Sequence, residues 1–399
     1  MSLQNTPSSE RMHIGFFGMR NAGKSSVVNA VTNQQLSLVS DIKGTTTDPV
    51  KKAMELLPLG PVVIIDTPGL DDEGALGEMR VKRAKEVLSS TDIAVLVIDA
   101  QKGKSEQDIE LINSFKEREL PFIVAYNKAD LISEKVNLAD NEIYVSAKTN
   151  ENINELKELI AKLSKKAKKD KPIVSDLLSE QDLVVLVIPI DKSAPKGRLI
   201  LPQQMVMRDI LDNHCMCICT QVEELDKTLS SLSKKPKLVI TDSQAFEKVA
   251  EITPKDITLT SFSILMARYK GDLKTLVDGA VALSRLKDSD KVLIAEGCTH
   301  HRQCNDIGTV KMPMWIEKFT NAKPHYTFTS GGTFPEDLSQ FKLIVHCGGC
   351  MLNEKEMKAR MQKANAQSIP IVNYGVAIAH MHNILKRSLA PFPDILEML

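Results

Sequence analysis

The chain has 399 residues, more than one hydrophobic core supports, so two or three domains are expected. Its 51 Lys plus Arg balance 51 Asp plus Glu, which leaves no overall field to draw it to nucleic acid or anionic lipid. Aromatic residues make up 4%, too few for a platform that stacks unpaired bases, while 43% apolar and 26% charged residues are ordinary for a globular protein. The polar opening from Met1 to Met12 has no apolar export segment. The longest apolar run, near Leu183 to Ile190, falls far short of the ~20 residues of a membrane-spanning helix. A cytoplasmic protein follows as the expectation, with no nucleic acid and no membrane among its partners.

From Met12 to about Leu163, short β-rich runs (HIGFFG, VVIID, IAVLVID, FIVAYN, IYVSA) alternate with helical segments, the pattern of a mainly parallel sheet with helices on both faces. After the first run comes Gly18-Met-Arg-Asn-Ala-Gly23-Lys24-Ser25, opening the helix SSVVNAV, the setting of a phosphate-binding loop. Its backbone amides turn inward on a β-phosphate, Lys24 reaches the β and γ oxygens, and Ser25 can ligate magnesium. We assign Gly18, Asn21, Ala22, Gly23, Lys24, Ser25 and Ser26 to this cradle. The segment Gly44-Thr-Thr-Thr-Asp48 lacks periodicity and suits a switch loop, with Thr46 as the magnesium ligand ahead of Thr45. Asp66-Thr-Pro-Gly69 ends the run VVIID, putting Asp66 near the metal and the Gly69 amide near the γ-phosphate.

Asn127-Lys128-Ala129-Asp130 follows FIVAY, where the Asp130 carboxylate can accept the two donors on one edge of guanine, a pair adenine lacks. Ser146, Ala147 and Lys148 after IYV would close over the base. Either of these two short motifs is weak alone, but all five elements occur in order. With them the first region resembles GTPases of the Era and tRNA-modification type. The resemblance implies a P-loop GTPase domain over residues 1–168, with GTP as substrate and Mg2+ as cofactor. It also implies a potassium ligand in Asn21. Leu70 stands where related enzymes carry a water-orienting glutamine, and the resemblance makes Glu78 the candidate for that role, beside the catalytic Lys24, Thr46 and Asp66.

A charged stretch, Lys165 to Pro172, reads as a linker. Beyond it, LVVLVIPI, CMCICT, KLVIT and ITLTSF repeat the strand and helix rhythm over 172–263. Cys215, Cys217 and Cys219 fall on one face of a strand, with burial expected rather than metal binding. One long helix, Ile264 to Leu286, is expected next, then KVLIAE, HYTFTS, KLIVHC and PIVNY over 264–399. The fold class is therefore α/β, a P-loop domain followed by two further α/β domains with mainly parallel sheets. No short-period repeat is visible, although the last two regions share a coarse rhythm.

The remaining cysteines are Cys298, Cys304, Cys347 and Cys350. In a cytosolic chain, clustered thiols suggest metal more than disulfides. Cys298-Thr-His300 and His346-Cys347-Gly-Gly-Cys350 each follow an apolar run. Carboxyl ends of parallel strands face one crevice, so these distant thiols can meet. An iron-sulfur centre or tetrahedral zinc would accept such donors. This pattern, joined to the first-region motifs, is similar to that of the FeFe-hydrogenase maturation GTPase family over the whole chain. The resemblance implies a dimerisation domain (172–263) and a cluster domain (264–399). It implies a 4Fe-4S cluster on Cys298, Cys347 and Cys350, with His300 or His346 as fourth ligand or supporting residue and Cys304 outside the set. It further implies a scaffold and carrier that takes a diiron precursor from two radical-SAM maturation enzymes and delivers it to the immature hydrogenase, working as a homodimer. The alternative is a regulatory GTPase whose zinc module acts on RNA or the ribosome.

Overall fold

The computed structural model describes residues 7–34, 49–68, 87–167, 171–190, 199–297, 306–349 and 352–399, and the chain divides into two units, Met1–Asp170 and Lys171–Leu399. In the first unit, strands β1 (Met12–Phe17), β2 (Val50–Leu56), β3 (Gly60–Asp66), β4 (Ile93–Asp99), β5 (Phe122–Asn127) and β6 (Glu142–Tyr144) form one sheet in the order β2-β3-β1-β4-β5-β6. All neighbours are parallel except β2 and β3. The sequence reading did not include β2. It is an edge strand with a mostly exposed, lysine-bearing sequence, so it carries no apolar signal.

Helices α1 (Lys24–Thr32), α2 (Glu106–Glu117) and α3 (Ile153–Ala167) cover this sheet. Successive strand residues point to opposite faces, so Phe16 packs with Val28 and Leu156 while Phe17 packs with Leu96 and Phe115. A capping box in which Ser105 and Asp108 exchange hydrogen bonds starts α2. The loops after β1, β3, β5 and β6, which carry four of the five nucleotide motifs, leave the carboxyl ends of their strands, which is where an open α/β sheet binds ligands; segment 44–48 lies outside the described residues.

The second unit holds two four-stranded parallel sheets. One comprises β7 (Leu183–Val187), β8 (Met216–Thr220), β9 (Leu238–Thr241) and β10 (Thr258–Ser261) in the order β10-β9-β7-β8. The other comprises β11 (Lys291–Ala295), β12 (His325–Thr329), β13 (Leu343–His346) and β14 (Ile371–Asn373) in the order β12-β11-β13-β14. Buried residues of both sheets join one hydrophobic core running from Ile173 to Phe392. The expected long helix is instead two, α5 (Phe262–Lys270) and α6 (Leu273–Leu283), which follow α4 (Leu201–Asp212). The break falls at Gly271 and Asp272, because the Asp272 side chain accepts the Thr275 amide and caps a new helix. Helices α7 (Glu354–Ala366) and α8 (Tyr374–Met381) complete the parts that matter below.

The two sheets repeat one another residue by residue. Their strand order is the same, second-first-third-fourth, and their pairings coincide: Val187 opposes Thr220 and Thr241, as Ala295 opposes Thr329 and His346. Flanking bonds repeat too. Ile188 N–H donates to Thr220 O at 2.8 Å and Glu296 N–H to Thr329 O at 3.0 Å. Ser261 and Asn373 cap α5 and α8 by accepting the Ile264 and Val376 amides. In this correspondence Asp242 takes the place of Cys347 and Ser263 that of Gly375. The shared rhythm in the sequence is therefore a structural duplication, hidden because the two halves share pairing geometry rather than side chains.

Candidate functional site

The nucleotide motifs converge in the first unit. Gly18 and Gly23 have φ of 154° and 81°. A Cβ on Gly18 would sit 2.4 Å from Val97 O, and one on Gly23 would sit 2.3 Å from Asn127 Nδ2, so glycine is the residue that lets the loop pass both. The Lys24 ammonium pairs with the Asp66 carboxylate, and Ser25 Oγ donates to Asp66 Oδ2 at 3.0 Å. A buried lysine, a hydroxyl and a carboxylate thus meet at the start of α1, and the oxygens form a donor set of the kind magnesium takes.

Asn127, 3% exposed, ties the base-reading end to the phosphate loop. Its Nδ2 donates to Ala22 O at 3.0 Å, and its Oδ1 accepts the Ala147 amide at 3.1 Å. Lys128 Nζ donates to Asn21 O at 2.8 Å and to Asp99 Oδ2 at 2.6 Å. Burial pushes the Asp99 carboxyl up, but Lys128 and the Gln101 amide outweigh it and leave the group below the usual range. Ser146 Oγ donates to Asp130 Oδ1 at 2.7 Å, fixing an exposed carboxylate. Asn21 and Lys148 are exposed, and Ser26 is half-buried on α1. Thr45, Thr46, Gly69, Leu70 and Glu78 lie outside the described residues.

In the second unit the chain leaves β11 as Glu296-Gly297 and leaves β13 as Cys347-Gly348-Gly349. These adjacent strands flank the switch point of their sheet, the crevice where such folds hold ligands. Cys347, 9% exposed, has its Sγ facing the Gly297 amide at 3.0 Å and the Gly349 amide at 3.4 Å. Amide donors aimed at sulfur stabilise a thiolate and are the usual surroundings of an iron-sulfur ligand. Gly349 holds this position at φ 63°. Cys298, His300, Cys304 and Cys350 lie outside the described residues, and among the described residues no three metal-binding side chains gather.

His346 is fully buried, with both ring nitrogens occupied: Arg360 Nη1 lies 3.0 Å from Nε2, and Nδ1 lies 2.7 Å from Cys347 O. A guanidinium only donates, so Nε2 accepts and Nδ1 carries the proton. Burial and the neighbouring Arg360 push this imidazole down to about 3. His346 here braces the cysteine loop. Three residues went unnoticed in the sequence. Arg360, 4% exposed, also donates to Gly331 O at 2.8 Å. Glu296, 5% exposed, accepts from Tyr374 OH at 3.3 Å, and burial with Glu296 alongside pushes that phenol up. Lys270, 4% exposed, donates to Gly349 O at 3.3 Å and Leu352 O at 3.4 Å. Each is a charge next to apolar residues in the sequence, and only the buried Glu at the end of KVLIAE left a readable sign.

A cavity of about 240 Å3 opens beside the loop, lined among others by Asp242, Ser243, Lys270, Gly348 and Tyr374. Of the other thiols, Cys215 is buried as expected. Cys217 is half-buried and Cys219 exposed, because β8 is an edge strand whose residues are covered only in part. Among the described residues no helix is long and apolar enough to cross a membrane.

The GTPase of Mycoplasmopsis pulmonis called Der is 34% identical over 141 residues, covering 34% of this chain and 32% of that protein. The tRNA modification GTPase MnmE of Chromobacterium violaceum is 33% identical over 156 residues, covering 37% of this chain and 34% of that protein. The chain thus spans about a third of the length of these curated relatives. Among solved structures, a probable GTP-binding protein, engB, aligns with TM-score 0.32 and 24% identity over 39% of this chain and 99% of its own. A family model described as a 50S ribosome-binding GTPase matches residues 13–128. The hydrogen maturase F dimerization domain matches 173–271, and the hydrogen maturase F tetramerization domain matches 274–391. With a GTPase domain followed by both of these maturase domains, together more than half its length, the chain belongs to the hydrogen maturase F family.

Proposed function

We propose that the chain is a GTP-hydrolysing scaffold and carrier in FeFe-hydrogenase maturation, holding a 4Fe-4S cluster and a diiron precursor in its second unit. In the first unit Lys24, Ser25 and Asp66 stabilise the phosphate charge electrostatically, joined by Thr46, while Asn127 and Asp130 select guanine. Glu78 orients the attacking water and Asn21 ligates potassium, so exchanging potassium for sodium slows hydrolysis. Equal rates in the two salts remove that role from Asn21.

The observation that carries the second half is the Cys347 sulfur, set at a switch point between two glycine amides in a chain that also bears a nucleotide site. Cys298, Cys347 and Cys350 would hold the cluster through three of its irons, leaving the fourth iron with a replaceable ligand position for cargo. The protein's part is to supply the sulfurs, aim amides at them and buttress the loop through His346 and Arg360. The cavity reaching Gly348 gives room beside that loop.

Residues 264–399 serve the cluster and 172–263 association between copies. For the latter, β8 is the natural seam. It is an edge strand with Met216 48% exposed and Cys217 and Ile218 half-buried, and an exposed apolar edge invites pairing with a second copy. The immature hydrogenase and two radical-SAM enzymes are the proposed partners. The test is activation of cofactor-free hydrogenase in a defined mixture. Replacing the three cysteines by serine abolishes activation; activation that survives overturns the proposal. Stoichiometric zinc with no iron-sulfur chromophore favours the alternative, a GTPase with a zinc module.

A further inference from the structure

The duplication in the second unit supplies an internal comparison for the cysteine loop. Ser263 and its counterpart Gly375 touch, since a Cβ on Gly375 would lie 2.3 Å from Ser263 Cβ. Corresponding residues in contact are what a local twofold axis between α5 and α8 produces. From α5, which belongs to the first half, Lys270 reaches the cysteine loop of the second half and donates to the Gly349 and Leu352 carbonyls while 4% exposed. Its counterpart on the other side of the axis is His382, just after α8. That residue instead packs edge-on against Trp315, with ring centroids 6.2 Å apart. The two halves thus share strands, caps and register, yet among the described residues Lys270 crosses to the strand-end loop that carries cysteine while its counterpart His382 packs against Trp315.

Gly349 is the hinge of this contact. Its carbonyl accepts both Lys270 and the Leu352 amide at 3.0 Å, and its own amide points at Cys347 Sγ. A Cβ there would lie 2.6 Å from Met357 Sδ, and φ is 63°, so glycine suits the position.

We propose that Lys270 is a positioning residue for the iron-sulfur ligand Cys347. By holding the Gly349 carbonyl it fixes the residue whose amide lies on the sulfur, and it adds a positive charge that favours the reduced cluster. This rests on the cluster reading above, and the two can fail separately.

In the apoprotein, Lys270→Met frees the loop, and alkylation of Cys347 by iodoacetamide, followed by mass spectrometry, rises about tenfold, as loss of roughly one charge-assisted hydrogen bond implies. Lys270→Gln keeps a donor and alkylates close to the unsubstituted rate. In the reconstituted holoprotein, both variants lose the charge. The midpoint potential, followed by EPR-monitored titration, falls by ~59 mV for a tenfold shift of a one-electron equilibrium. If Lys270→Met does not fold, Lys270→Gln still decides the potential. His382→Met, on the other side of the axis, changes neither readout. Unchanged alkylation and unchanged potential overturn the role of Lys270. A chain that takes up no cluster overturns the cluster reading, while the alkylation rates still judge the clamp.

Discussion

Replacing Asn127 by alanine cuts the tie between the phosphate loop and the base-reading loop together with the residue's own part in base selection, so the tie itself is read on nucleotide-free protein. The side chain is 3% exposed and joins Ala22 O at 3.0 Å to the Ala147 amide at 3.1 Å. Truncation leaves a buried carbonyl and an amide without their partner, at about 1–3 kcal/mol for each. A loss on the order of 3 kcal/mol is roughly a hundredfold in a local opening equilibrium. The assay is amide hydrogen exchange on nucleotide-free protein, read on peptides spanning Ala147, alongside fluorescent GDP titration. Exchange at Ala147 accelerates by about two orders of magnitude and GDP affinity falls in step. Asn127→Asp keeps the acceptor and so keeps Ala147 protected, while losing the donor to Ala22. Protection of Ala147 unchanged in the alanine variant would refute the tie.

Ser146→Ala removes the hydroxyl that fixes Asp130, at about 1 kcal/mol, and preference for GDP over ADP drops roughly fivefold. Competition binding measures it, and Ser146→Thr restores the preference. Acid weakens the first unit through Asp99. Its folded carboxyl lies below the usual carboxylate range, so its contribution is complete above the unfolded value and is lost as pH falls through the lower folded one. Melting followed down to pH 3 therefore declines less steeply in Asp99→Asn, and identical pH profiles would discount the Lys128 pair. Ile218→Lys places a charge on the edge strand β8, so sedimentation shifts toward monomer, and an unchanged assembly means the seam lies elsewhere.

The nucleotide site was legible because its chemistry sits in contiguous motifs at strand ends, and α/β alternation announces where those ends fall. Asn127 could be named from its tetrapeptide. Its bond to Ala22 could not, since that depends on two loops 105 positions apart. In the second unit Cys347 stood out as a thiol, but its supporting residues did not. Arg360 lies on a polar-looking helix, and Lys270 reads as the solvated end of one. The long helix was misjudged because apolar periodicity continues through Gly271, and only the Asp272 cap ends it. The duplication stayed hidden because backbone pairing repeats while the residues at corresponding sites, Asp242 and Cys347, differ in chemistry.

The central claim is that one polypeptide joins a guanine-nucleotide site to a cluster held by three thiolates. Anaerobic reconstitution with iron and sulfide, followed by metal and sulfide analysis and EPR on the chain and on its single Cys→Ser variants at Cys298, Cys304, Cys347 and Cys350, tests it most directly. The account predicts one 4Fe-4S cluster per chain, weakened or lost when Cys298, Cys347 or Cys350 is replaced and retained when Cys304 is. A chain that stays iron-free, or one whose cluster survives all three replacements, contradicts it.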